Sequence, residues 1–178
     1  MSTLSVNTIT SETGNTVSLA SGKTLDASQG FTAPAGHVIQ YVSNQTTASF
    51  TSAGGDTSFS NVIAQSITPT STSSKIKITV CGVYYANNTA TYINHRFRMV
   101  KDGVGLSDYN GAQDSGTAQY LQYRTSGVNN HIPVPVNFTW INSPNTTSST
   151  TYTLQFMATA GTMSFYEGSY IHLEEISG

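Results

Sequence analysis

Apolar residues recur at alternate positions along much of this chain, in short runs broken by turn-forming residues. Lys75, Lys77 and Thr79 alternate with Ile76, Ile78 and Val80, and Thr151, Thr153 and Gln155 alternate with Tyr152, Leu154 and Phe156. Successive side chains of a strand point to opposite faces, so each run shows one face to a core and one to water. The same reading predicts strands over 38–43, 58–67, 75–85, 92–101, 118–124, 132–140, 151–158 and 163–176. Gly168 predicts a bulge or a break into two strands within the last run. The separators are turn chemistry: Ala53-Gly54-Gly55-Asp56, Thr68-Pro69-Thr70, Ala86-Asn87-Asn88, Asp102-Gly103, Asn110-Gly111, Ser143-Pro144-Asn145 and Ala160-Gly161. Short strands at this spacing predict an all-β antiparallel sandwich or jelly roll.

The pattern is different before Ala33-Pro34-Ala35-Gly36. Residues 1–36 carry isolated apolar side chains, Leu4, Val6, Ile9, Val17 and Leu19 among them, in a background of Ser, Thr, Asn and Gly. Ordering each residue costs about 1–2 kcal/mol of backbone entropy, which so little apolar surface does not offset. Such a segment either remains a tail or becomes ordered by pairing with copies of itself or docking on a larger assembly. The alternations Leu4-x-Val6 and Val17-x-Leu19 favour short strands and therefore the second outcome. The expected organisation is an attachment or trimerisation segment, 1–36, followed by a β-sandwich domain, 37–178.

Composition narrows the function. Only 9% of the 178 residues are charged and the formal net charge is -2, against roughly 25% charged in an average domain. Hydroxyls and amides supply the polarity. Thr, Ser, Val, Ile and Tyr suit strands and turns rather than helices. Basic residues pair only at Lys75/Lys77 and Arg96/Arg98, which provides no phosphate-binding footprint, so nucleic acid is not an expected partner. Cys81 is the only cysteine. It excludes an intramolecular disulfide and a cysteine-based zinc cluster, and its apolar neighbours predict a buried, inert thiol. Neither a signal-peptide pattern nor an apolar run of ~18 residues is present, so membrane insertion is not expected.

Nothing in the spacing of reactive residues predicts an enzyme or a cofactor. His37, His95, His131 and His172 are scattered, and no G-x-S-x-G element occurs. His95 shares parity with Ile93, Phe97 and Met99, the pattern of a core or interface histidine. Glu174 and Glu175 are adjacent on a strand and face opposite ways, so they do not form a glycosidase pair. Loop 101–116 holds Asp102, Asp108, Asn110 and Asp114 without calcium-loop spacing and reads as a solvated surface loop. Tyr109 at its tip and Tyr123 in the run Tyr120-Leu121-Gln122-Tyr123 offer aromatic faces beside polar groups, suited to packing or to sugar stacking. Arg96 and Arg98 lie on one face of their strand, opposite Phe97. That face is either solvated, paired across a subunit contact, or presented to an anionic glycan. Tyr109, Tyr123, Arg96 and Arg98 are the candidate receptor contacts.

Several short motifs, in order, carry a resemblance. Ser2-Thr3-Leu4-Ser5-Val6-Asn7-Thr8-Ile9, Gly14-Asn15-Thr16-Val17 and Ala33-Pro34-Ala35-Gly36-His37-Val38-Ile39-Gln40 resemble the N-terminal halves of fibre-like virion proteins of tailed bacteriophages, especially those of cyanobacteria. Ser66-Ile67-Thr68-Pro69-Thr70-Ser71-Thr72-Ser73-Ser74-Lys75-Ile76, Lys101-Asp102-Gly103 and Tyr170-Ile171-His172-Leu173-Glu174-Glu175-Ile176 are similar to the same proteins. The layout resembles a trimeric jelly roll of the tumour necrosis factor or complement globular-head type. The resemblance implies a homotrimer located on the virion and made in the host cytoplasm. Its N-terminal strands would bind other virion proteins, through positions such as Leu4, Val6, Ile9, Val17 and Leu19. Its jelly roll would face outward and bind host-surface polysaccharide as a short tail fibre. The chain lacks the long repetitive shaft of extended fibres, which leaves a capsid decoration or cement trimer, or a baseplate or tail-tip component, as alternatives.

Overall fold

The computed structural model describes residues 21–22, 33–87, 92–106, 113–114, 119–126 and 131–178, with only the backbone described at 86–87, 92–94, 113–114, 119–126 and 131–132. Ala33–Gly178 forms one compact unit. Of the first segment only 21–22 and 33–36 are described; its predicted attachment residues Leu4, Val6, Ile9, Val17 and Leu19 lie outside the described residues. So does Tyr109.

Twelve strands follow one another without a helix among the described residues. They are β1 (Val38–Gln45), β2 (Phe50–Ser52), β3 (Ser60–Ile67), β4 (Lys75–Asn87), β5 (Tyr92–Lys101), β6 (Val104–Gly105), β7 (Gln113–Asp114), β8 (Gln119–Ser126), β9 (His131–Asn142), β10 (Thr150–Ala160), β11 (Thr162–Phe165) and β12 (Tyr170–Ile176). β1 pairs with β12, β2 with β11, β3 with β10, β4 with β9 and β5 with β8, all antiparallel. Strands equally far from the two ends of the domain are therefore partners, as though one long hairpin had been rolled up. That nesting makes the fold a jelly roll. The first sheet runs β1-β12-β4-β11-β2 with β9 along the other side of β4; the second runs β3-β10-β5-β8-β7.

The alternation in the sequence explains which sheet face is dry. Ile76, Ile78 and Val80 of β4, Ile171 and Leu173 of β12, and Leu154 and Phe156 of β10 have no exposed surface. Aromatic rings bridge the two layers: Phe97 lies 5.3 Å from Phe138 and Phe50 meets Phe156 edge-on at 4.9 Å. At roughly 1.5–3 kcal/mol for each large side chain withdrawn from water, this layer supplies the main drive to fold.

The predicted break at Gly168 is present. Gly168 has φ 83° and separates β11 from β12. Both strands lie along β4, β12 up to Cys81 and β11 from Tyr84 onward, while the loop 166–169 fills the gap beside Gly82. A Cβ on Gly82 would collide with the Ser169 side chain, so only glycine leaves room for that loop. Short strands β2, β6 and β7 were not expected from the pattern, because two or three residues are too few to show a period. Residues 33–36 hydrogen-bond to the C-terminal end, Gly36 N–H donating to Ser177 O at 2.7 Å and the Ser177 hydroxyl to Ala33 O at 3.3 Å.

Candidate functional site

The first sheet has an unusual outer face. In β4, the parity that buries Ile76, Ile78 and Val80 turns Lys77, Thr79, Cys81 and Val83 outward. The register aligns Tyr41, Glu174, Lys77 and Ile141 in one row across β1, β12, β4 and β9. Ser43, His172, Thr79 and Thr139 form the next row, and Gln45, Tyr170, Cys81 and Asn137 the third. Tyr41 is 56% exposed, Ile141 52%, Tyr170 40%, Tyr166 38% and Val83 37%. These five account for most of the large apolar side chains that are exposed among the described residues.

His172 lies at the centre of this face. Its ring stacks against Tyr41 and Tyr170, each with centroids 5.7 Å away. Tyr41 Oη is 2.6 Å from His172 Nδ1, and Cys81 Sγ is 3.8 Å from His172 Nε2. Cys81 is half-exposed. The expected buried, inert thiol is thus corrected: apolar neighbours in sequence suggested burial, but the outward parity of Lys75, Lys77 and Thr79 continues to position 81. That parity was the available signal. The approach of Tyr41, Cys81 and His172, 131 and 91 residues apart from His172 in sequence, had none. Beside this cluster Lys77 Nζ and Glu174 Oε2 form an ion pair at 2.6 Å, so the charges of that row cancel.

The two glutamates separate as alternation requires. Glu174 is outside with Lys77. Glu175 is fully buried, and its Oε1 accepts the Thr70 N–H at 2.7 Å and the Thr70 hydroxyl at 2.8 Å. With its amide oriented by its neighbours, Gln40 donates to Glu175 Oε2 at 3.0 Å. Glu175 thereby pins the β3–β4 connection.

The second sheet holds the candidate arginines. Arg96 and Arg98 lie on the outer face of β5 while Phe97 is buried. Arg98 Nε donates to Gln155 Oε1 at 2.7 Å, and its guanidinium stacks 4.1 Å from the Phe59 ring centroid. Burial lowers its pKa from the usual guanidinium value. Arg98 is therefore held against its own sheet, presenting a fixed rather than a free cation. Arg96 is half-buried beside it. In the register Tyr123 is opposite His95, whereas Arg96 is opposite Gln122, so Tyr123 occupies the alternate register position from Arg96.

His95 is buried between the sheets, its ring edge-on to Tyr84 at 5.7 Å. Desolvation pushes its pKa down to about 4, with the Gly161 backbone as the smaller, opposing influence. A neutral imidazole in this place packs the core. Asp102, one of the predicted loop oxygens, accepts the Thr151 N–H at 2.8 Å; Asp108 and Asn110 lie outside the described residues, and only the backbone of Asp114 is described.

No protein-family model matches the chain, and no curated protein matches it. Among solved structures, one described as the structure of infectious bursal disease virus Gt strain is similar over 88% of this chain, with a TM-score of 0.44 and 11% identity. The match spans 38% of the viral chain.

Proposed function

We propose that this chain is a structural protein of a virus particle that assembles as a homotrimer through the outer face of the β1-β12-β4-β9 sheet. The observation that carries the reading is the concentration of exposed Tyr41, Val83, Ile141, Tyr166 and Tyr170 on that face beside a charge-neutral Lys77–Glu174 pair. Apolar surface gathered on one side of a sandwich calls for a covering partner. A face whose charges already cancel can turn towards a threefold axis, where three copies converge, without repulsion. The register of β4 with β9 runs from Ile76 to Asn87. β1 and β12 are shorter, 8 and 7 residues; at ~3.4 Å per residue and ~4.8 Å per strand the four strands make a face of ~640 Å², within the range of one partner's footprint in a stable interface.

In the finer reading, residues 1–36 attach the trimer to other virion proteins and the jelly rolls project outward as a short tail fibre of a tailed bacteriophage. The support is the ordered set of motifs that resemble those of phage fibre-like proteins and the low-charge, hydroxyl-rich composition. The activity is adhesion to host-surface glycan without catalysis, with Tyr109, Tyr123, Arg96 and Arg98 as contacts. Three weak sites on one particle gain avidity of ~10²–10⁴ over one.

Sedimentation of the full chain tests assembly first. A trimer is expected, and Val83→Lys with Ile141→Lys shifts it to a folded monomer; a wild-type monomer overturns the proposal. Binding of the sized trimer to intact host cells then tests adhesion. Saturable binding lost in Tyr109→Ala/Tyr123→Ala supports the tail-fibre reading, and no binding by a folded trimer replaces it with capsid decoration or a tail-tip role.

A further inference from the structure

Asn61, Gln155 and Arg98 form one row across β3, β10 and β5 on the outer face of the second sheet, the face that assembly through the first sheet leaves uncovered. The hydrogen bonds of this row have a single possible direction. A guanidinium only donates, so Arg98 Nε, 2.7 Å from Gln155 Oε1, orients that amide with its oxygen towards β5 and its nitrogen towards β3. Gln155 Nε2 then donates to Asn61 Oδ1 at 2.7 Å. Both side-chain oxygens are engaged within the row. What it presents to water is N–H: the Asn61 amide nitrogen and the two Nη nitrogens of Arg98, which have no partner among the described residues. The Phe59 ring, with its centroid 4.1 Å away, holds the guanidinium on a second side. No carboxylate pairs with Arg98 among the described residues, where the ion pair is Lys77–Glu174. Burial lowers its pKa with no negative neighbour to oppose the shift.

We propose that this row is a subsite for the carboxylate of an acidic sugar, with Arg98 as its binding residue and Gln155 as the residue that positions it. The inference deepens the glycan-adhesion reading and rests on it for the source of the ligand. A sugar bearing hydroxyls alone needs acceptors as well as donors, and the side-chain oxygens here are already used. A carboxylate brings acceptors only. The fork of the two Nη groups matches its two oxygens, and a guanidinium already fixed through Nε and by stacking loses little rotamer freedom on binding. Asn61 Nδ2, two strands away, is a neutral donor for an oxygen further along the saccharide.

Surface plasmon resonance of the purified full chain over immobilised polygalacturonate and polysialate, with the methyl ester of each as the neutral control, tests this. The expected result is saturable binding to at least one of the acidic polymers and none to its ester. Arg98→Gln weakens binding by about 10–100-fold, as loss of a charge-assisted hydrogen bond does. Arg98→Lys weakens it as well, because an ammonium lacks the fork, and Gln155→Leu weakens it by roughly 3–10-fold with the charge unchanged, through the rotamer freedom returned to Arg98. Lys75→Gln, which removes an exposed cation from the other sheet, leaves binding as it is. Circular dichroism checks that each variant stays folded. Binding to neither acidic polymer overturns the proposal, and so does equal binding to the esters. An equal loss in Lys75→Gln and Arg98→Gln overturns it too, since only net charge would then matter. Host-cell binding by the same proteins keeps the two readings apart: saturable cell binding without polymer binding leaves adhesion standing and overturns the subsite, whereas polymer binding lost in Arg98→Gln without cell binding does the reverse.

Discussion

The burial of His95 makes the sandwich sensitive to acid, with a sign and size that follow from the structure. An imidazole is ordinarily half-protonated near 6.5; between Tyr84 and the facing sheet its pKa drops to about 4. The folded state therefore favours the neutral ring. Above pH 6.5 the ring is neutral in both states and the contribution is fully present. As pH falls from 6.5 towards 4 the unfolded chain takes up a proton that the folded one refuses, and stability declines by up to ~1.4 kcal/mol per pH unit. Below about pH 4 both states are protonated and the loss levels off. Over the window the loss is about 3 kcal/mol, a large share of a typical 5–15 kcal/mol. Urea unfolding at pH 7, 6, 5 and 4, at one protein concentration, measures it. His95→Leu removes the titration, so its stability should fall less than that of the wild type across the same window, by about 3 kcal/mol. Effects of pH common to both proteins cancel in the difference. Parallel pH curves for wild type and variant would refute the reasoning, whatever the variant does to stability at pH 7.

Two substitutions test the packing account. Gly82→Ala should destabilise by ~1–3 kcal/mol in chemical unfolding, since its methyl runs into Ser169; Ser169→Gly in the same chain should recover part of that loss, and a neutral Gly82→Ala would show that the loop yields freely. Glu175→Leu should cost ~2–3 kcal/mol by thermal or urea unfolding, because it leaves the Thr70 N–H and hydroxyl without their acceptor. A loss below ~0.5 kcal/mol would mean that water reaches Thr70 and replaces the carboxylate.

Much of this fold was legible in the chain itself. Period-two alternation in 75–85 and 151–158 gave both the strands and their dry faces, because burial on one side of a sheet is a local property of each strand. Gly168 marked the break between β11 and β12, since a positive φ is a local requirement as well. The same alternation separated Glu174 from Glu175. The apolar neighbours of Cys81 misplace it as buried, although the parity of Lys75, Lys77 and Thr79 carries it to the outer face.

Which strands meet was decided only by the tertiary structure. Rolling β1 onto β12 and β4 between β12 and β9 brings Tyr41, Cys81 and His172 together from distant parts of the chain, and no local period encodes a contact over such separations. The pinning of Thr70 by Glu175 and the space that Gly82 leaves for Ser169 have the same origin. Sequence determined the side of the sheet each residue takes, through the geometry of the strand; the pairing register, a property of whole strands packed in two layers, determined its neighbours and hence the chemistry of the face.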